Sequence, residues 1–322
     1  MNSRPLPWRL SQLRWSTWRG VLVRSVKGFF NDNSADWAAS LTYYGVLALF
    51  PSAIVVVALT GLVADTPATI DTLIGVSREL VPAAVVDGLE GPIRQVATAE
   101  GPAKVLVSVG LLGALWSASG YVGAFTRASN AIYGVAEGRR WYVLRPLQLL
   151  LTAAALVMLA VMVIGLVVSG PVAEAIGRAL RIGDTSLTVW QVTKWPVIVV
   201  LASLVLSLLF WIAPNVQQPR FRFLTPGGAV TLIGAVIVSL GFGLYVVNFS
   251  SYNATYGSLG AIIAFLIWLY LVNCAVLVGV EVNAEVARGR ALQAGLDVEI
   301  GPALPPRSPV ESPQPAEERA ST

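Results

Sequence analysis

Glu281 and Glu285 are carboxylates at the end of the last long apolar run of this sequence. They follow the run LVNCAVLVGV at 271–280, which carries no charge. At 100° per residue, Tyr270, Asn273, Glu281 and Glu285 fall within about 120° of one helix face, beside Cys274 and Leu277. A carboxylate at that depth is costly unless it is paired, hydrated or protonated. Such a group can bind a cation or carry a proton, because burial alters the balance between its charged and neutral forms. The competing reading is an ordinary helix end, with Glu285 near Arg288 and Arg290. Cys274 reads as inert packing.

Two other polar groupings bear on the same chemistry. Ser40, Thr42, Tyr43 and Tyr44 open an apolar run that contains Pro51. A proline inside a span removes one backbone hydrogen bond and bends the helix, and the freed carbonyl can line a cavity. The tyrosines also suit an aromatic belt. The stretch NFSSYNATYGSLG at 248–260, with Asn253 and Tyr256 near its centre, is uncharged and rich in turn formers. It can dip between helices toward a water-filled vestibule or simply close a hairpin.

Gly113, Ser117, Gly120 and Ala124 recur at helical spacing, the pattern that lets helix backbones approach closely in lipid. Arg127, Arg139 and Arg140 form one basic loop, and Arg220 and Arg222 another. Both can face phosphates or anionic headgroups, and both also fit a simple charge bias that sets topology.

Several chemistries are excluded outright. The chain has no histidine and one cysteine. No imidazole base, Ser-His-Asp triad or His-containing zinc site can form. No GxxxxGK[ST] loop, CxxC pair or acidic metal cluster is present, so no cofactor or metal is expected.

Positioning these residues requires membrane helices. Of 322 residues, 55% are hydrophobic and only 12% charged, with a mean hydropathy of +0.69. Soluble domains carry roughly 25% charged residues. Crossing ~30 Å of hydrocarbon takes about 20 apolar residues. Charge-free runs place spans at about 37–64, 105–126, 146–173 and 195–216. A 58-residue uncharged run at 223–280 divides at its Asn/Ser/Gly-rich middle into 226–247 and 258–281. The predicted fold is therefore an all-α integral membrane protein with six transmembrane helices.

Loop charges orient it. Six basic side chains precede the first span against two acidic ones, whereas loop 65–104 has six acidic residues against three basic. The positive-inside rule then puts both termini in the cytoplasm. Residues 1–36 read as a basic amphipathic arm at the interface, with Trp8, Trp15, Trp18, Leu22, Val26 and Phe29 on one stripe. Two partial apolar stripes within 66–103 predict short interfacial helices capping the outer face. The membrane domain covers 37–287. The remainder, 288–322, has six prolines among its last 22 residues and reads as a disordered cytoplasmic tail.

Four pieces, AASLTYYGVLALFP at 38–51, LWSASGYVGAFTRASNAIYGV at 115–135, APNVQQPRFRFLTPGG at 213–228, and NFSSYNATYGSLG followed by LIWLYLVNCAVLVGVEVNAE at 266–285, resemble the YihY/BrkB family of bacterial inner-membrane proteins. The resemblance spans about 29–288. It implies a six-helix protein of the bacterial cytoplasmic membrane, and it brings two associations: a ribonuclease BN label and resistance to serum killing. The residues speak against the nuclease, since the chain lacks histidine, a metal cluster and a soluble domain to hold tRNA.

Two functions are then expected to compete. One is a transporter or permease for a small solute or lipid-like molecule, ion-coupled through the polar sector. The other is a non-catalytic envelope assembly or lipid-binding protein whose partner is the anionic bilayer surface. Nucleic acid is not an expected partner of either.

Overall fold

The computed structural model describes residues 10–61, 102–167, 184–218, 220–248, 252–296 and 304–310, with a few isolated positions between. A 3-10 turn at Leu10–Gln12 leads into α1 (Trp15–Asn31), followed by α2 (Ser34–Gly61) and α3 (Pro102–Ile132). Then come α4 (Trp141–Val167), α5 (Asp184–Ile212), α6 (Pro226–Asn248) and α7 (Tyr252–Gln293). Six of these, α2 to α7, hold windows long and apolar enough to cross a membrane, from Ser34–Val55 to Gly260–Gln293. The chain is an all-helical, polytopic membrane protein.

The helices alternate in direction, so α1, the start of α2, the end of α3, the start of α4, the end of α5, the start of α6 and the end of α7 meet at one end. This polar end also carries both described chain termini. Gln293 Nε2 donates to the Gln12 carbonyl at 2.8 Å, and Thr17 Oγ1 to Gln293 Oε1 at 2.9 Å. The core lies close by, built from Leu41, Phe125, Phe210 and Leu277, with the Phe125 and Phe210 rings stacked at 5.8 Å. Farther along the helices, Leu112, Leu150, Val192, Ile237 and Leu240 are exposed, as lipid-facing positions should be. Buried hydroxyls along the helices satisfy themselves locally: Thr126, Thr152 and Ser203 each donate to the carbonyl four residues earlier.

Helix ends depart from the expected spans at Asp36, Lys104, Arg127, Arg145 and Lys194, charges that lie inside helices. Arg127 lies within α3 and Lys194 within α5, because charge ends an apolar run without ending a helix. At 42 residues, α7 is about 63 Å long, twice the hydrocarbon thickness. Its N-terminal turns include Asn253 and Tyr256, so the expected turn region is mostly helix. Small polar residues cost a helix only tenths of a kcal/mol each, and the following apolar run carries them along.

The tail also differs from expectation. Rather than being disordered from 288 onward, the chain continues α7 to Gln293 and then docks residues 304–310 against the loop after α5. Gln217 N donates to the Pro305 carbonyl at 2.9 Å, Arg307 N to the Asn215 carbonyl at 3.0 Å, and Val216 pairs with Pro306. Prolines cannot donate but accept normally, so a proline-rich edge can still be held through its carbonyls. Residues 311–322 and most of the expected outer caps at 66–103 lie outside the described residues.

As for the expected interfacial arm, its helical part is α1, packed along α7. Leu13 and Val21 meet Val282 and Val286, with Trp18 alongside. Trp15, Leu22, Val26 and Phe30 remain exposed.

Candidate functional site

Glu281 sits where α7 crosses the junction of α1 and α2. Asn33, with φ +51°, turns the chain between those helices and brings Ser34 to the start of α2. Ser34 Oγ donates to Glu281 Oε1 at 3.0 Å. From α1, Gly28 faces the other carboxylate oxygen: a Cβ there would lie 2.6 Å from Oε2. The result is a carboxylate only 2% exposed, larger than almost every other side chain so deeply enclosed.

One turn on, Glu285 takes the nearby positive charge. Arg24 Nε from α1 donates to its Oε2 at 2.5 Å, and Arg288 Nε lies 3.4 Å from its Oε1. Asp32, at the end of α1, completes the group. Burial pushes its carboxyl above the usual range, Arg288 opposes that, and Glu285 reinforces it.

Toward the membrane centre, the same face of α7 continues through Leu277 to Asn273, about 12 Å from Glu281 along the helix. Asn273 is 1% exposed and bonded at both its amide oxygen and its amide nitrogen. Tyr121 Oη on α3 donates to its Oδ1 at 2.8 Å, and its Nδ2 donates to Thr42 Oγ1 on α2 at 3.1 Å. Thr42 Oγ1 in turn donates to the Ala38 carbonyl at 2.8 Å. Asn273, Glu281 and Glu285 thus form one inward polar column, lined by α1, α2 and α3.

Other expected members are not in it. Tyr270 packs at the margin of the core. Tyr43 is 62% exposed and stacks edge-on against Tyr44. Tyr44 packs on Gly120, with the Arg127 guanidinium over its ring at 5.4 Å. Asn253 and Tyr256 belong to the opposite end of α7, about 40 Å from Glu281. Pro51 lies within the continuous helix α2. The small-residue stripe is half a contact: Gly120 and Ala124 pack inward, while Gly113 and Ser117 are exposed. On α3, Gly120 and Tyr121 meet Tyr44 and Gly45 of α2, while Phe125 is buried against Phe210 of α5.

Among the basic residues, Arg127 and Arg140 are exposed, and Arg140 Nη1 donates to Tyr142 Oη at 2.9 Å. Arg139 does not face lipid or phosphate. Its side chain is only 6% exposed, forks onto Glu137, and donates to the carbonyls of Ile212 at 3.2 Å and Ala213 at 2.6 Å. Carbonyls at a helix end lack intrahelical donors, and the guanidinium caps those at the end of α5. Arg220 is exposed and Arg222 half-buried on the far side of that loop.

Arg24, Gly28 and Ser34 complete the carboxylate site but stand out weakly in sequence. Arg24 is marked only by its place in the basic arm, off the stripe of Trp15, Trp18, Leu22, Val26 and Phe29. Ser34 carries no such mark.

The family model described as virulence factor BrkB matches residues 25–297. This chain belongs to the BrkB family. The match takes in the carboxylate site except Arg24, which lies one residue before it. Among curated relatives, the chain is 34% identical to "Putative ribonuclease-like protein YfkH" of Bacillus subtilis, over 79% of this chain and 90% of that one. It is 29% identical to a UPF0761 membrane protein of Rhodospirillum centenum, over 88% of this chain but only 60% of that longer protein. Identity to a UPF0761 membrane protein of Chromohalobacter salexigens is 26%, over 88% of this chain and 68% of that one. No solved structure matches.

Proposed function

We propose that this BrkB-family protein is an ion-coupled transporter or permease for a small solute or lipid-like molecule, in the bacterial cytoplasmic membrane with both termini inside. One observation carries the reading. Glu281 is an enclosed carboxylate hydrogen-bonded by a neutral hydroxyl, while Arg24 and Arg288 contact Glu285 instead. A carboxylate kept only for structure is normally paired. One left with a serine can exchange a proton or a cation, and its charge then changes what α1 and α2 pack against.

On the same face of α7, Asn273 lies about 12 Å toward the membrane centre, beyond the buried apolar Leu277. Helices α1 and α2 both touch Glu281 and are joined by the short turn at Asn33, so gain or loss of charge there bears directly on their contact. The ribonuclease wording of one relative's name is not carried over, because a histidine-free chain offers no imidazole acid or base.

A second reading, a non-catalytic envelope assembly or lipid-binding protein, draws on α1. Its exposed Trp15, Leu22, Val26 and Phe30 lie beside exposed Arg14, Arg19 and Lys27, a pattern suited to an anionic bilayer surface. Everted vesicles separate the two. Cation- or proton-linked flux above an empty-vector control supports transport. Absent flux, together with loss of envelope integrity when Trp15, Leu22 and Phe30 become serine, supports assembly.

A further inference from the structure

We infer that Arg127 and Arg145, on the outer flank of α3 and α4, hold the headgroup of an anionic phospholipid. Both guanidiniums stand over aromatic rings: Arg127 over Tyr44 of α2 at 5.4 Å, and Arg145 over Trp116 of α3 at 5.6 Å. Gln148 of α4 lies between them. Its amide and Arg127 Nη1 come within 3.6 and 3.7 Å of the point that a Cβ on Gly123 would occupy. Arg145 Nη1 donates to Gln148 Oε1 at 3.4 Å. Gly123 and Gln148 are buried, whereas Arg127, Arg145 and Trp116 are exposed. Two positive charges therefore flank one fixed amide on the outside of the bundle.

Arg145 turns inward. Gly123 and Gln148 lie side by side, and Trp116 is about 10 Å farther along α3 from the polar end. An arginine near the start of a span ordinarily reaches back to water. Arg145 lies one turn into α4, yet its guanidinium reaches past Gln148 to Trp116. A charge directed along the lipid-facing flank is costly unless it meets an opposite one. The ion pairs described at this end engage other arginines: Glu137 with Arg139, and Glu285 with Arg24 and Arg288. A guanidinium over a ring keeps its N–H donors for another partner, and its fork matches phosphate oxygens. Beyond Trp116, Leu112 and Val109 continue the same exposed face of α3. That stripe gives an acyl chain a surface directly below the charges, which is why the anion is assigned to a lipid. Neither arginine belongs to the carboxylate site, so this site stands independently of the transport reading.

The test is native mass spectrometry of the full-length protein released from nanodiscs of phosphatidylglycerol and phosphatidylcholine in equal parts. Wild type is expected to retain phosphatidylglycerol in preference to phosphatidylcholine. Arg127→Gln and Arg145→Gln should each lower that preference about fivefold, the worth of one basic side chain at an anionic membrane surface. Both side chains are exposed, so folding is not at risk. Arg140→Gln removes the same charge from the neighbouring loop and should leave the preference nearly unchanged. Equal retention of the two lipids would overturn the site, as would an undiminished preference in both variants or an equal loss in Arg140→Gln. Displacement of the lipid by excess glycerol 3-phosphate would assign a soluble anion instead and would also overturn it.

Discussion

Gly28 of α1 and Glu281 of α7 share one contact point: any side chain on Gly28 would begin 2.6 Å from the Glu281 carboxylate. The absence of a side chain at Gly28 is what lets α1 lie over this carboxylate and shield it, while Ser34 supplies the hydrogen bond from α2. The enclosure of Glu281 is therefore built by three helices, and each can be perturbed separately.

Gly28→Ala forces the carboxylate aside. Because the clashing atom is the end of a flexible side chain, the expected cost is about 1–2 kcal/mol rather than loss of folding. Most of that cost should vanish when Glu281 is also alanine, as required when two changes act at one contact. Thermal unfolding of the four proteins in the cycle measures it, and strict additivity would contradict the contact.

A sharper steric limit holds α6 against α7. A Cβ on Gly227 would overlap the Gly279 carbonyl, and one on Gly279 would overlap Thr231 Oγ1. Backbone cannot swing away, so Gly227→Ala should destabilise by roughly 3 kcal/mol or prevent folding. Gly113→Ala should have the opposite sign, a gain of about 0.5–1 kcal/mol, since nothing lies within 4 Å and alanine is the better helix former. Melting temperatures in detergent decide both.

Asn215 ties the docked tail to the membrane domain. It is fully buried, and its Nδ2 donates to the carbonyls of Ala136 at 2.9 Å and Ser308 at 2.8 Å. Its Oδ1 accepts from Ser308 N at 3.1 Å. Asn215→Asp turns that donor into a carboxylate facing two carbonyls and should cost about 3 kcal/mol. Faster amide exchange at Arg307 and Ser308 is the expected signature, with little change in the centre of α3.

Acid should weaken the neighbouring clasp. Burial alone would raise the Glu137 pKa, but hydrogen bonds and charge from Arg139, with a hydrogen bond from Asn130, hold it below the ordinary 4.5. The stabilisation is complete above that value and is lost as the pH falls through the folded-state pKa, where the unfolded chain already binds the proton. Glu137→Gln should lower stability at pH 7 and flatten the decline that wild type shows on acidification below the ordinary carboxylate value of 4.5. A melting series against pH for the two proteins checks this.

Hydrophobic runs make the six spans legible in the sequence, and their order makes the shared polar end legible too. The inward face of α7 could also be read, because 100° periodicity puts Asn273, Glu281 and Glu285 together. What completes that face could not. Ser34 and Arg24 lie 247 and 261 residues from their partners, and no local pattern encodes such pairings. Arg139 shows the reverse limit: a basic residue in a basic loop suggests lipid, yet the exposed carbonyls of α5 claim it. Tyr43 and Tyr44 are adjacent and alike in type, and only the packing of Gly120 decides which one turns inward. The docking of residues 304–310 escapes composition, which counts prolines without asking which carbonyls they offer.

Ion exchange through Glu281 is tested most directly in liposomes of purified protein holding a trapped pH dye, with imposed sodium, potassium or proton gradients. Wild-type protein should give gradient-driven proton or cation movement above protein-free liposomes. Glu281→Gln, which keeps the shape and the Ser34 contact, should abolish it. Movement that persists undiminished in Glu281→Gln, or wild-type liposomes that match protein-free ones under every gradient, would contradict the account.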